Sequence, residues 1–199
     1  MREKGILFSA DMVRALQAGR KTCTCIVIKK FPCTGYKWAG WITDSTEGKE
    51  IGNAVIIPES QEIYDHTNAV YAKPPVAIGD RIYVRETWQE TYYRNTDVWK
   101  PLYYAGNENK IWIDDDGKMK WYPSVRMPKK YARIWLDVTD VRVSRLNDVL
   151  YNTEAEKEGF ADVGCFLKYM ITKYVKKCTD ETINELLHTW VWVITFDKK

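Results

Sequence analysis

The chain has 199 residues, 45% of them hydrophobic and 29% charged, with a formal net charge of +3. That is enough apolar material for one sizeable core, read as a single domain over residues 1–199, and too little positive charge for the whole-surface grip of a polybasic nucleic-acid binder. Nucleic acid, if it is the partner, is expected on a local patch; most of the nine Trp and thirteen Tyr are expected in the core or on sheet faces, with a minority free to stack on bases.

Ile6, Leu7 and Phe8 read as a short strand. Ser9 follows as a helix N-cap, with Asp11 in the first turn to suit the helix dipole and Phe8 and Val13 spaced as a hydrophobic staple. Val13 and Leu16 supply the apolar face, and Gly19 ends the helix. Thr22 to Ile28 is rich in β-branched residues and predicts a strand. Residues 32–75, with "PCTGYKWAGW", "DSTEGKE" and "AKPP", read as loop-like; they hold Trp38, Trp41 and the run Val55-Ile56-Ile57, so they are an elaboration on the core and not a linker.

Gly79-Asp80 is a turn into "RIYVRETW", where Ile82, Val84, Glu86 and Trp88 share one face and Arg81, Tyr83, Arg85 and Thr87 the other. A second elaboration spans about 89–118: "LYYA" and "IWI" read as strands, and Asp116-Gly117 as a hairpin turn, since a calcium loop would need alternating acidic ligands and a distal Glu. "RIWLDVTDVRV", residues 133–143, alternates throughout and predicts a long strand. Thr153 to Glu156 has the form of a capping box, opening a short helix that Gly159 stops. Val163, Leu167, Met170, Ile171, Tyr174 and Cys178 form a helical stripe, and Ile183, Leu186 and Leu187 mark another helix. "WVWVITF" closes the chain as a strand, with Trp190, Trp192 and Phe196 on one face and β-branched residues on the other. The expected class is α+β: a mixed, mostly antiparallel β-barrel decorated with helices.

The five Cys stand at 23, 25, 33, 165 and 178. A zinc site would have to complete Cys23, Cys25 and Cys33 with His66 or His188, and the one-residue spacing of the first pair is not that of a zinc knuckle. "MREKGILFSAD" has an apolar run of three residues, too short for a secretory leader, and no stretch approaches transmembrane length. The expectation is a cytoplasmic protein with free thiols, no metal, no cofactor and no membrane partner.

The segment "LQAGRKTCTCIV", residues 16–27, passes from a helix stop straight into a basic pair and four small polar or soft side chains. It overlaps the first of five blocks, "ILFSADMVRALQAGRKTCT", "GDRIYVRETW", "WYPSVRMPKKYARIWLDVTDVRVSRLNDV", "EAEKEGF" and "WVWVITF", which in that order resemble the ASCH-domain family, and most closely the longer forms carried by bacteriophages and prophages. The resemblance implies a PUA-like barrel that binds RNA or a modified nucleoside, with a cleft beside the Gly-x-Lys-x-x-Thr motif. Some small bacterial relatives are amidohydrolases that deacetylate 4-acetylcytidine-type nucleosides. Carried over residue by residue, their catalytic set falls on Lys21, Thr24 and Glu158. The motif Arg falls on Ile26, preceded by Cys25, so the guanidinium of the family pattern is missing; Arg20, Lys29, Arg85 or Arg126 would have to replace its charge.

Amide hydrolysis needs a nucleophile, a proton carrier and an oxyanion donor. Thr24 would attack, Lys21 would serve as base if its ammonium is deprotonated, and Glu158 would protonate the leaving amine or orient Lys21. In a straight strand, positions 21 and 24 face opposite ways, so the segment must turn for them to meet. The expected ligand contacts are Arg20, Arg85, Glu86, Trp88 and Arg126, with Glu86 in need of a cationic partner on its apolar face. An interaction protein that kept the barrel and lost the site is the third expectation.

Overall fold

The computed structural model describes residues 1–43, 51–62, 68–93, 98–107, 121–151 and 154–198. In chain order these form β1 (Glu3–Leu7), α1 (Ala10–Gln17), β2 (Cys23–Val27), β3 (Tyr36–Trp41), β4 (Ala54–Pro58), β5 (Val70–Ala72), β6 (Arg81–Arg85), β7 (Trp88–Tyr93), β8 (Val98–Tyr103), β9 (Trp135–Arg145), α2 (Leu146–Tyr151), α3 (Glu154–Lys157), α4 (Val163–Tyr174), α5 (Asp180–Leu187) and β10 (Trp190–Lys198), with 3₁₀ turns at Ser124–Arg126 and Lys129–Tyr131.

The central sheet runs β1-β6-β9-β10-β2. The β1–β6 pair is parallel, and the other pairs are antiparallel. β9 is its spine, pairing with β6 through Trp135 to Asp137 and with β10 from Leu136 to Arg145. Thr195 opposes Asp140 while Phe196 opposes Val138, so one extra β9 residue bulges and bends the long strand. The class is α+β as expected; the described strands lie in sheets of five, three and two strands, with no closed barrel among them. No described helix is long and apolar enough to cross a membrane.

Alternation along β10 explains the two cores. Trp190, Trp192, Ile194 and Phe196 face one side, with Met12, Val13 and Leu16 of α1, Ile82 and Val84 of β6, and Ala54, Ile56 and Ala72 of the β3-β4-β5 sheet. Val191 and Val193 face the other, with Cys23 and Cys25 of β2, Leu146, Val149 and Leu150 of α2, Ala155 of α3, Phe166 and Met170 of α4, and Leu186 of α5.

α1 forms as its caps predict: the Ser9 hydroxyl accepts the Met12 N–H at 3.3 Å, and Gly19 adopts φ +72. The loop reading of 32–75 is corrected. The segment holds β3, β4 and β5, because its apolar runs pair with one another while its glycines serve the pairing: Gly40, at φ +131, sits in the register shift beside Trp38. β8 ends at Tyr103 and takes in only the start of "LYYA"; "IWI" and Asp116-Gly117 lie outside the described residues, as does Thr153 of the expected capping box. α2 was not anticipated, and Cys178 lies past the end of α4, exposed.

Candidate functional site

The passage from α1 to β2 is held by backbone bonds. The Arg20 and Lys21 N–H groups both donate to Ala15 O, at 2.9 and 3.2 Å, so the chain is still wrapped on the helix end at residue 21. Strand pairing with β10 starts at Cys23, so residue 21 belongs to the helix end and residue 24 to the strand. The C-terminal end of α3 docks on this turn residue against residue. Thr22 N–H donates to Lys157 O at 2.8 Å, Lys21 Nζ to Glu158 O at 3.0 Å, and Arg20 Nη1 to Gly159 O at 3.1 Å. Gly159 is required here. Its φ is +86, and a Cβ would stand 2.5 Å from that of Ala15 and 3.0 Å from that of Lys21.

β2 is an edge strand. Phe196 N–H bonds Thr22 O and Ile28 N–H bonds Trp190 O. Antiparallel bonding alternates, so Thr24 and Ile26 turn their backbone groups toward β10, and Cys23 and Cys25 turn theirs to the open edge. Lys21 and Glu158 fill that edge. Lys21 Nζ donates to Cys23 O at 2.8 Å and forms an ion pair with Glu158 Oε2, while Cys25 N–H donates to Glu158 Oε1. The Lys21 side chain is 0% exposed and that of Glu158 is 1%. The Phe8 ring centroid lies 5.0 Å from the ammonium. Paired as an ion, Lys21 offers donors and no lone pair.

Thr24 is buried beside them, yet among the described residues no hydrogen bond joins its hydroxyl to Lys21 or Glu158. Alternation turns it to the face opposite Cys23 and Cys25. Burial, and then the Glu158 charge, push the Cys23 thiol up to about 12 and the Cys25 thiol well above its ordinary value. Both are therefore neutral near pH 7, and neither is the thiolate that nucleophilic attack requires. Tyr169 of α4 is lifted to about 12 by the same two causes, burial first and then Glu158.

The other expected contacts gather at the far end of β6. Arg85 donates through Nε to Met127 O at 3.1 Å and through Nη2 to Val125 O. Glu86, 1% exposed, receives a two-pronged grip from Arg133, at 2.8 Å to each oxygen; Arg133 also donates to Ala105 O and lies 4.1 Å from the Tyr103 ring. Trp88 is buried between Tyr122 and Tyr131, at 5.4 and 5.1 Å, and its indole N–H finds no partner among the described residues. Buried in this way, it has no face open for a base to stack on. Arg126 is exposed in its 3₁₀ turn.

The expected residues thus fall into two groups: Arg20, Lys21, Thr24 and Glu158 at the β2–α3 corner, and Arg85, Glu86, Trp88 and Arg126 around the end of β6. Phe8 links them, since its N–H donates to Arg85 O at 3.0 Å while its ring faces the Lys21 ammonium. The sequence reading missed Arg133, whose signal lies in the β6–β9 register. With Tyr83 opposite Trp135, two further steps bring Arg133 level with Arg85, beside Glu86. It also missed Tyr169, which looks from sequence like any core-stripe aromatic. Searches against family models, curated proteins and solved structures found no match to this chain.

Proposed function

We propose that this is an ASCH-type protein of PUA-like architecture that binds RNA or a modified nucleoside at the β2–α3 corner, with Lys21 and Glu158 as the recognising pair. The supporting observation is that these two residues, 137 positions apart and singled out by the family resemblance, meet in one buried contact at a strand edge. An ammonium beside a carboxylate suits the edge of a cytosine: Lys21 donates to the ring carbonyl, and Glu158 accepts from the exocyclic amine. A ligand would take over donors and acceptors that Lys21 and Glu158 now spend on each other and on the β2 backbone, so binding requires the α3 end to shift outward.

Titration with short single-stranded RNAs at two salt concentrations tests this reading. Affinity should fall at the higher salt, and Lys21→Ala should bind at least about tenfold more weakly, the loss expected for one charge-assisted contact. A response equal in the two proteins would leave the corner as scaffold only, in keeping with an interaction protein.

A second reading, deacetylation of a 4-acetylcytidine-type nucleoside, is favoured by the buried Thr24 hydroxyl on the same short strand. Here Thr24 Oγ attacks the acetyl carbonyl, its proton passes to Glu158 and on to the departing exocyclic nitrogen, and water then releases acetate from the acyl-threonine. Lys21 donates to the oxyanion. Acetate release that Thr24→Ala and Lys21→Ala both abolish supports it, and release that persists in either variant removes it.

A further inference from the structure

The β2–α3 corner has an outer rim that neither the ion pair nor the acyl chemistry uses. On one side stands Arg20, exposed, with its guanidinium anchored by the bond to Gly159 O. Next along the chain Phe160 packs on Tyr169, ring centroids 5.2 Å apart, and both rings are half-buried. Beyond Tyr169 stands Lys173, exposed, one turn further along α4. It donates to the Tyr169 hydroxyl at 2.8 Å, and its ammonium lies 5.1 and 5.3 Å from the rings of Tyr169 and Tyr174.

Both cations are held in place, so they lose less side-chain freedom on gripping an anion than solvated ones would. Most of the neighbouring carboxylates are committed elsewhere. Glu154 pairs with Arg142, Glu158 with Lys21, and Asp162 accepts the Cys165 N–H at the start of α4; Glu156, exposed, stands next to Lys157. The rim thus carries two anchored cations, Arg20 at the Gly159 turn and Lys173 on α4.

We infer that the ligand of this corner carries phosphate: a nucleoside phosphate, free or within an RNA chain, its base edge on Lys21 and Glu158 and its phosphate oxygens on Arg20 and Lys173. The inference rests on the nucleoside reading above and specifies its substrate class.

Titrating the full chain with cytidine, cytidine 5′-monophosphate and a cytidine hexamer tests it. The monophosphate should bind about tenfold more tightly than cytidine at low salt, the gain of one charge-assisted contact. Arg20→Ala/Lys173→Ala should erase that gain, so that the variant binds cytidine and its monophosphate alike; both residues are exposed, and near-ultraviolet circular dichroism should report an unaltered fold. For the hexamer, the double variant should flatten the log–log salt slope by about 1.4, at about 0.7 per phosphate contact on a single strand. A gain confined to the hexamer places the phosphate within a chain and sustains the inference. Cytidine and its monophosphate binding alike, with a hexamer slope the double variant does not alter, overturns the phosphate inference and leaves the nucleoside reading standing. No binding of any of the three overturns both.

Discussion

Two buried carboxylates, Glu86 and Glu158, lie in the two groups that Phe8 links, and they are satisfied in different ways. Glu86 is gripped by a planar guanidinium that fits both its oxygens, and the Arg133 side chain is 30% exposed, so one partner keeps contact with water. Glu158 faces a point-like ammonium that is fully enclosed, and its second oxygen is spent on a backbone N–H. The first arrangement is a self-sufficient pair that pins β6 to the start of β9. The second is a shared junction, where removing either side chain strands a charge and one strand-edge group together. A junction of that kind has more to lose when disturbed and more to offer a ligand that can replace its contacts.

Breaking the two pairs in turn should show the contrast. Lys21→Ala leaves the Glu158 charge buried alone and should cost about 3–5 kcal/mol of unfolding free energy, the range for breaking a buried ion pair. Arg133→Met, where water can approach the abandoned Glu86, should cost roughly half as much by the same reasoning. Chemical denaturation of both variants decides; equal losses would erase the distinction. Gly159→Ala attacks the junction without touching a charge. The positive φ alone should cost about 1–3 kcal/mol, and the loss should exceed that because the new methyl meets Ala15 and Lys21.

A smaller effect comes from pH. Cys23 and Cys25 have folded pKa values raised above their unfolded ones, so their contribution to stability is complete below about pH 9 and is lost as pH climbs toward about 12 for Cys23. Each thiol should steepen the alkaline loss by up to about 1.4 kcal/mol per pH unit. Denaturation of Cys23→Ala/Cys25→Ala between pH 8 and 11 should show a flatter limb, and an unchanged limb would refute the assignment. The smallest effect belongs to Arg126→Ala, expected within about 0.5 kcal/mol of wild type as for any free surface residue, and with unaltered RNA affinity; a clear loss of affinity would extend the site to that turn.

Much of the scaffold was legible in the residues because its signals are local. Ser9, Asp11 and Gly19 bound α1, alternation marks β6, β9 and β10, and the apolar stripe marks α4. The segment 32–75 misled for a physical reason: glycine and proline that look like loop punctuation also serve bulges and tight turns between short strands, and β3–β5 declare themselves only through mutual pairing. The site was legible in part. Family resemblance pointed to Lys21 and Glu158, but the edge role of Cys23 and Cys25 follows from which backbone groups β10 leaves open, and that depends on register between distant strands. Arg133 stayed hidden because the need of Glu86 for a cation names no partner, and the one it finds is 47 positions away.

The central claim is that the Lys21–Glu158 junction recognises a nucleoside as well as closing the edge of β2. Lys21→Met/Glu158→Gln keeps an acceptor for the Cys25 N–H, removes both charges at once, and so should fold. Titration of 4-acetylcytidine into this variant and into wild type, followed by NMR, is the most direct measurement. Saturable shifts at the corner in wild type, weakened at least about tenfold in the folded variant, are the predicted result; equal affinities, or no shifts in wild type, would contradict it.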